Sequence, residues 1–141
     1  MKYLIVIASF VFLALVSSCR DAVYYTGDDV NCYECYTLFP ETSWLIIDFT
    51  LDGENTSIPI TVYNGFPDRS PVVFSAMCDT TPVFVEVPMN NYYSVKAGYK
   101  HGDDSVYAID NAHLEAKLVT GLCDEDCWII TGGEYNVRLI Y

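Results

Sequence analysis

Residues 81–99 read TPVFVEVPMNNYYSVKAGY, and their alternation decides the fold. Val83, Val85 and Val87 fall on one face of an extended chain, and Pro88 closes that run. After the short connection Met89-Asn90-Asn91, Tyr93, Val95, Ala97 and Tyr99 alternate with Ser94 and Lys96. A period of two puts the apolar side chains of each run on one side, as a half-buried strand requires. Two such runs joined by a short Asn-bearing connection predict a β-hairpin.

The same period extends in both directions. Upstream, Ser43–Leu51 places Leu45, Ile47, Phe49 and Leu51 on one face, with Asp48 and Thr50 on the other. Asp52-Gly53-Glu54-Asn55 is a turn by composition, and Ile58–Asn64 turns Ile58, Ile60 and Val62 inward. Pro59 has no donor for a ladder, so this strand is expected at an edge or beginning after the proline. The Gly65–Pro71 loop leads to a strand over Val72–Cys78. Downstream, His101–Asp104 turns the chain into Ser105–Ile109. Ala112–Lys117 also fits a helical turn, but the alternation of Leu114, Ala116 and Leu118 favours a strand over His113–Val119. Trp128–Thr131 and Tyr135–Tyr141, separated by Gly132-Gly133, complete the pattern. About seven to eight short strands without a long helix predict an all-β protein, a single antiparallel β-sandwich. Residues 32–141 form its one domain.

Within this pattern, Thr81–Tyr99 resembles prealbumin-like, or carboxypeptidase-regulatory-type, sandwich domains, whose second strand reads Tyr-x-Val-x-Ala-x-Tyr. Asn90-Asn91 stands here where those domains usually carry Pro-Gly. The N-terminus adds an address. Lys2 precedes the apolar run Tyr3–Val16, which ends in Leu15-Val16-Ser17-Ser18-Cys19. The run stops short of the ~20 residues of a membrane span and has the order of a secretory signal. Its end resembles the lipobox of bacterial lipoproteins. That resemblance implies a signal peptide over residues 1–18, removed on maturation, and a lipid on Cys19. Residues 19–31 then form a flexible tether, in which residues 20–31 reach roughly 40 Å at ~3.4 Å per residue. Two or more acyl chains anchor stably where one does not, so the membrane is a partner through that lipid. Arg20 rather than Asp after the cysteine matches the sorting rule for the outer membrane. The mature chain resembles small envelope lipoproteins of Gram-negative bacteria in Cys32–Tyr36, Ile58–Tyr63, Cys123–Trp128 and Val137–Leu139.

Seven Lys and Arg against nineteen Asp and Glu give a net charge of −12. Such a field argues against nucleic acid as a partner. Beyond Cys19, Cys32 and Cys35 sit at the domain entrance, Cys123 and Cys127 near its end, and Cys78 between. Disulfides are the default in an exported chain, with several connectivities open. Bridges between the two clusters would staple the domain's start to its end. The same spacing, C-x2-C and C-x3-C, is compatible with zinc, which the oxidising compartment disfavours. A thiol-redox role for Cys32–Cys35 is disfavoured by Glu34 between them, since an acid raises a thiol pKa. The acidic runs Asp103-Asp104 and Asp124–Asp126 match no calcium loop with fixed offsets and read as solvated turns.

His101 and His113 stand in no nucleophile elbow or metalloprotease motif. The sequence therefore implies no catalytic residues, cofactor or metal, and points to a binding or accessory module with an unknown protein or glycan partner. Its candidate binding side chains are the aromatics Tyr33, Tyr36, Trp44, Tyr63, Phe66, Tyr92 and Trp128, with Tyr24-Tyr25 in the tether. Alternation or loop position sets them outward or near an end, and aromatic clusters build sugar and protein surfaces. Closing the ends of the sandwich is the competing role for the same residues.

Overall fold

The computed structural model describes residues 30–140. The signal peptide, Cys19, Tyr24-Tyr25 and most of the tether lie outside the described residues. Eight strands form two sheets. They are β1 (Thr42–Asp48), β2 (Ile58–Asn64), β3 (Val72–Cys78), β4 (Val83–Pro88), β5 (Asn91–His101), β6 (Asp104–Val119), β7 (Cys127–Thr131) and β8 (Glu134–Asn136). A three-stranded sheet runs β4-β1-β8 and a five-stranded sheet runs β3-β2-β5-β6-β7. Among the described residues, no helix is long and apolar enough to cross a membrane.

The core lies between the sheets, where the alternation placed it. Leu45, Ile47, Val85 and Val87 come from the small sheet and meet Ile58, Ile60, Val62, Val95, Ala97 and Leu114 from the large one. Part of the chain's tyrosine content belongs to this core. Tyr93, Tyr99 and Tyr135 are buried, and each hydroxyl donates to a carbonyl: Tyr93 to Pro88 at 2.8 Å, Tyr99 to Val137 at 2.5 Å, Tyr135 to Ala112 at 3.3 Å. A buried phenol is tolerated only with such a partner. Burial pushes the pKa of all three upward.

Five expectations are corrected. Residues 83–99 are not a hairpin, because β4 pairs with β1 and β5 pairs with β2 and β6. Both runs have an inward apolar face, and Asn90, at φ 58°, turns the chain from one sheet to the other. The sandwich is also not wholly antiparallel, since β8 runs parallel to β1. β7 ends in the large sheet, and Gly132-Gly133 carries the chain across to enter beside β1 in β1's own direction. The closing strand stops at Asn136 because β1 stops offering a ladder after Asp48. From there the main chain bonds to side chains: Phe49 N–H to Thr81 Oγ1, Thr50 N–H to the Tyr99 hydroxyl, and Leu139 N–H to Thr50 Oγ1.

The two runs Ser105–Ile109 and His113–Val119 are one strand, β6. Its first part pairs with β5, and its last part pairs with β7. Finally, Pro59 lies in an interior strand. The ladder to β5 begins one residue later, at Ile60↔Ala97. Gly98 makes room for the proline, since a Cβ there would come within 2.9 Å of Pro59 Cγ.

Candidate functional site

The entrance segment is held by covalent bonds. Asn31 caps the short 3-10 turn Cys32–Glu34 by accepting from Tyr33 N–H at 3.1 Å. Cys32 is bridged to Cys123 and Cys35 to Cys127, across 91 and 92 residues. Val30, Val119 and Cys127 form a small apolar cluster with Cys35, Cys123 and Ile129 packed against it. The bridges thus join the two cysteine clusters. Although the sulfurs of Cys35, Cys123 and Cys127 lie within 4.8 Å of one another, all three are bonded as disulfides and offer no thiolate to a metal. Cys78 is free and buried, with its thiol pKa raised by that burial.

One residue beyond the second bridge, Tyr36 and Trp128 exchange two backbone hydrogen bonds, at 2.8 and 2.7 Å. This sets the Tyr36 side chain beside β1. Tyr36, Ser43, Trp44, Ile46, Ile130 and residues 132–134 line one hollow of about 350 Å³. Gly132 lets the chain pass close against β6 there, since a Cβ would lie 2.1 Å from the His113 carbonyl oxygen. Next to it, Phe39 meets Trp128 edge to face at 5.0 Å. Tyr36, Phe39 and Trp44 are 51%, 43% and 55% exposed, so large aromatic area faces solvent on a framework held by two disulfides. Trp44 continues the surface onto the outer face of the small sheet. There the pairing sets Trp44 opposite Glu86 and Ile46 opposite Phe84, with Glu134 on the other side of Ile46.

Of the seven aromatics singled out in the sequence, Tyr36 is therefore brought beside Trp44 in the hollow and, through its main chain, beside Trp128. Tyr33 is fully exposed on the 3-10 turn and lines a separate hollow beside the bridges. Phe66 and Tyr92 meet elsewhere, with ring centroids 5.7 Å apart. Tyr63 faces outward as its register requires, yet it is buried, which corrects its reading as an exposed aromatic. The 65–71 loop folds over it, and its hydroxyl donates to Asp68 at 2.9 Å. Phe39 and Phe84 escaped the sequence reading. The signal for Phe84 was available: it is the apolar residue on the polar side of the Val83-Val85-Val87 alternation.

The shifted carboxylates are low, not high. The Lys96 ammonium, 2.8 Å away, and the Tyr63 hydroxyl hold Asp68 below the usual carboxylate range. Lys117, and to a smaller extent His113, do the same for Glu115. Each is a carboxylate stabilised in its charged form, unlike a general acid poised near neutrality. Lys96 also stands 4.6 Å over one face of the Tyr107 ring. Gly98 backs the same ring, since a Cβ there would lie 3.4 Å from Tyr107 Cε1. No protein-family model, curated protein or solved structure matches this chain.

Proposed function

We propose that this protein is a lipid-anchored, non-enzymatic binding module of the Gram-negative cell envelope, held by Cys19 at the outer membrane on a prealbumin-like sandwich. The observation that carries the binding role is the aromatic surface of Tyr36, Phe39, Trp44 and Trp128, which the two bridges position and which leaves three large rings solvent-exposed. Ordering such a surface beforehand removes the entropy that a flexible loop would lose on binding. The anchor rests on the Met1–Cys19 stretch alone.

Glycan recognition is the second reading, favoured by polar groups beside the rings. Thr42 Oγ1 donates to Glu86 at 2.8 Å next to Trp44, and aromatic planes with adjoining hydrogen-bonding groups suit sugar rings.

Two measurements test the proposal. Fatty-acid labelling in a Gram-negative host should mark the full chain and not Cys19→Ala, and an unlabelled wild type removes the anchor. The detergent-purified full chain is then titrated with soluble envelope polysaccharides and with peptides of differing charge, following tryptophan emission. A saturable change with one class is expected. Trp44→Ala should abolish it while shifting stability by less than about 0.5 kcal/mol, as for an exposed side chain. A wild type whose emission responds to neither class refutes the binding role.

A further inference from the structure

The outer face of the small sheet has a charge pattern that specifies its occupant. Trp44, Ile46 and Phe84 form its apolar centre, with Trp44 and Phe84 more than half exposed. Glu86 lies across from Trp44, and Glu134 lies beside Ile46. Among the described residues, neither glutamate has a cationic partner. The next carboxylate on the same face does, because Arg138 stands 3.2 Å from Asp48. The acids are thus left without a cation where the aromatic and apolar side chains are, Glu86 accepting only from Thr42, and neutralised where that patch ends.

We propose that this face docks a basic amphipathic protein segment whose arginine or lysine side chains lie against Trp44 and reach Glu86 and Glu134. This rests on the binding-module reading and names the partner's chemistry. A guanidinium stacks on an indole and simultaneously donates to a carboxylate. Apolar residues between two such cations would cover Ile46 and Phe84. A second copy of this chain is a poorer occupant, since its matching face offers two more glutamates, and Arg138 at the edge is already held by Asp48. Anionic partners are repelled by the net charge of −12, and a neutral sugar could hydrogen-bond these carboxylates but would not neutralise them.

The test uses the full chain in detergent and a short synthetic peptide alternating Arg and Leu. An analogue with Glu for Arg and a neutral oligosaccharide serve as comparison probes. Tryptophan emission is read against Trp44→Phe, which removes the reporter at the site. The Arg peptide should bind saturably and weaken as salt rises, while the Glu analogue should not bind. Glu86→Gln with Glu134→Gln should weaken binding about tenfold or more, the scale of losing close charge contacts. Asp103→Asn with Asp104→Asn removes the same charge from the β5–β6 turn, at the other end of β5 from Asn91, and should change affinity less than about twofold. Equal losses from both pairs would mean bulk charge alone and overturn the inference. A saturable response to the oligosaccharide and none to the Arg peptide also overturns it, while leaving the binding-module reading intact. Silence with every probe defeats both.

Discussion

Two aromatic groups of similar composition differ in what their polar neighbours do. In the group of Tyr63, Phe66 and Tyr92, each polar end has a partner within the chain. Tyr63 donates to Asp68, Tyr92 to Asn111, and Lys96 neutralises Asp68. The loop that carries Phe66 and Asp68 lies closed over the sheet. In the group of Tyr36, Phe39, Trp44 and Trp128, the first three rings stay exposed, and among the described residues the flanking Glu86 and Glu134 have no cation. In the first group the loop buries Tyr63, although Phe66 on that loop stays exposed, and in the second the equally outward Trp44 is left open. What separates the two, among the described residues, is the cation: Lys96 neutralises Asp68 in the first, while in the second Arg138 reaches Asp48 and leaves Glu86 and Glu134 bare.

The open group depends on covalent support, and removing that support should give the largest effect. With one bridge intact, the other closes only a small ring of about nine residues, worth about 2–3 kcal/mol in the loop-entropy model. With one already gone, the remaining bridge closes a loop of some 90 residues, worth about 4–5 kcal/mol. Replacing Cys35 and Cys127 by Ser should therefore lower stability modestly. Replacing all four cysteines should cost on the order of 7 kcal/mol, comparable to the whole stability of many domains. Urea unfolding of the single-bridge and bridge-free variants measures this. Equal steps for the first and second bridge would show that the entrance segment is held by its packing instead.

The floor of the open hollow comes next. Gly132 has φ +82°, and a Cβ there would lie 2.1 Å from the His113 carbonyl oxygen, a main-chain atom of β6. Gly132→Ala should destabilise by about 2–3 kcal/mol, combining backbone strain with a clash that no side-chain rotation relieves. Gly53→Ala is its control, because a Cβ at Gly53 meets nothing within 4 Å. The difference between their melting midpoints isolates the close approach of Gly132 to the main chain of β6.

Much of this architecture was legible in the residues. Alternation identified the inward faces of β1, β2, β4 and β5, because an exposed apolar row would be costly on either face of a sheet. It carried no information on which strands pair. Val83–Val87 and Tyr93–Tyr99 read equally well as hairpin partners or as opposite walls of one core. The parallel entry of β8 is decided by the Gly132-Gly133 crossing, which a sequence shows only as a turn. Cysteine spacing identified two clusters, and three-dimensional proximity chose their pairing. The aromatics show the same limit. Register turns Tyr63 and Trp44 outward alike, and only the 65–71 loop, through Asp68, decides that one is covered and the other is not.

The closed group can be opened by pH, with a sign that the covalent clamp cannot share. Asp68 is held below its ordinary value by Lys96 and Tyr63. Its contribution is therefore fully present above the usual carboxylate range and is lost as pH falls through its own lower value. Lys96 is raised by Asp68, and Tyr63 is raised by burial and then by Asp68. Their contributions are present at neutral pH and are lost as pH rises through their elevated values. The tie should thus hold from about pH 4 to about pH 10 and weaken outside that window. Asp68→Asn should cause the smallest loss of the three changes, since this carboxylate is solvent-exposed and its ion pair is screened. Its unfolding midpoint should fall below wild type at neutral pH and converge with it in acid, below the ordinary carboxylate pKa. The bridge-free variant should show no such convergence, because a disulfide does not titrate. A gap between wild type and Asp68→Asn that persists unchanged into strong acid would mean that loop packing, not the ion pair, closes this group.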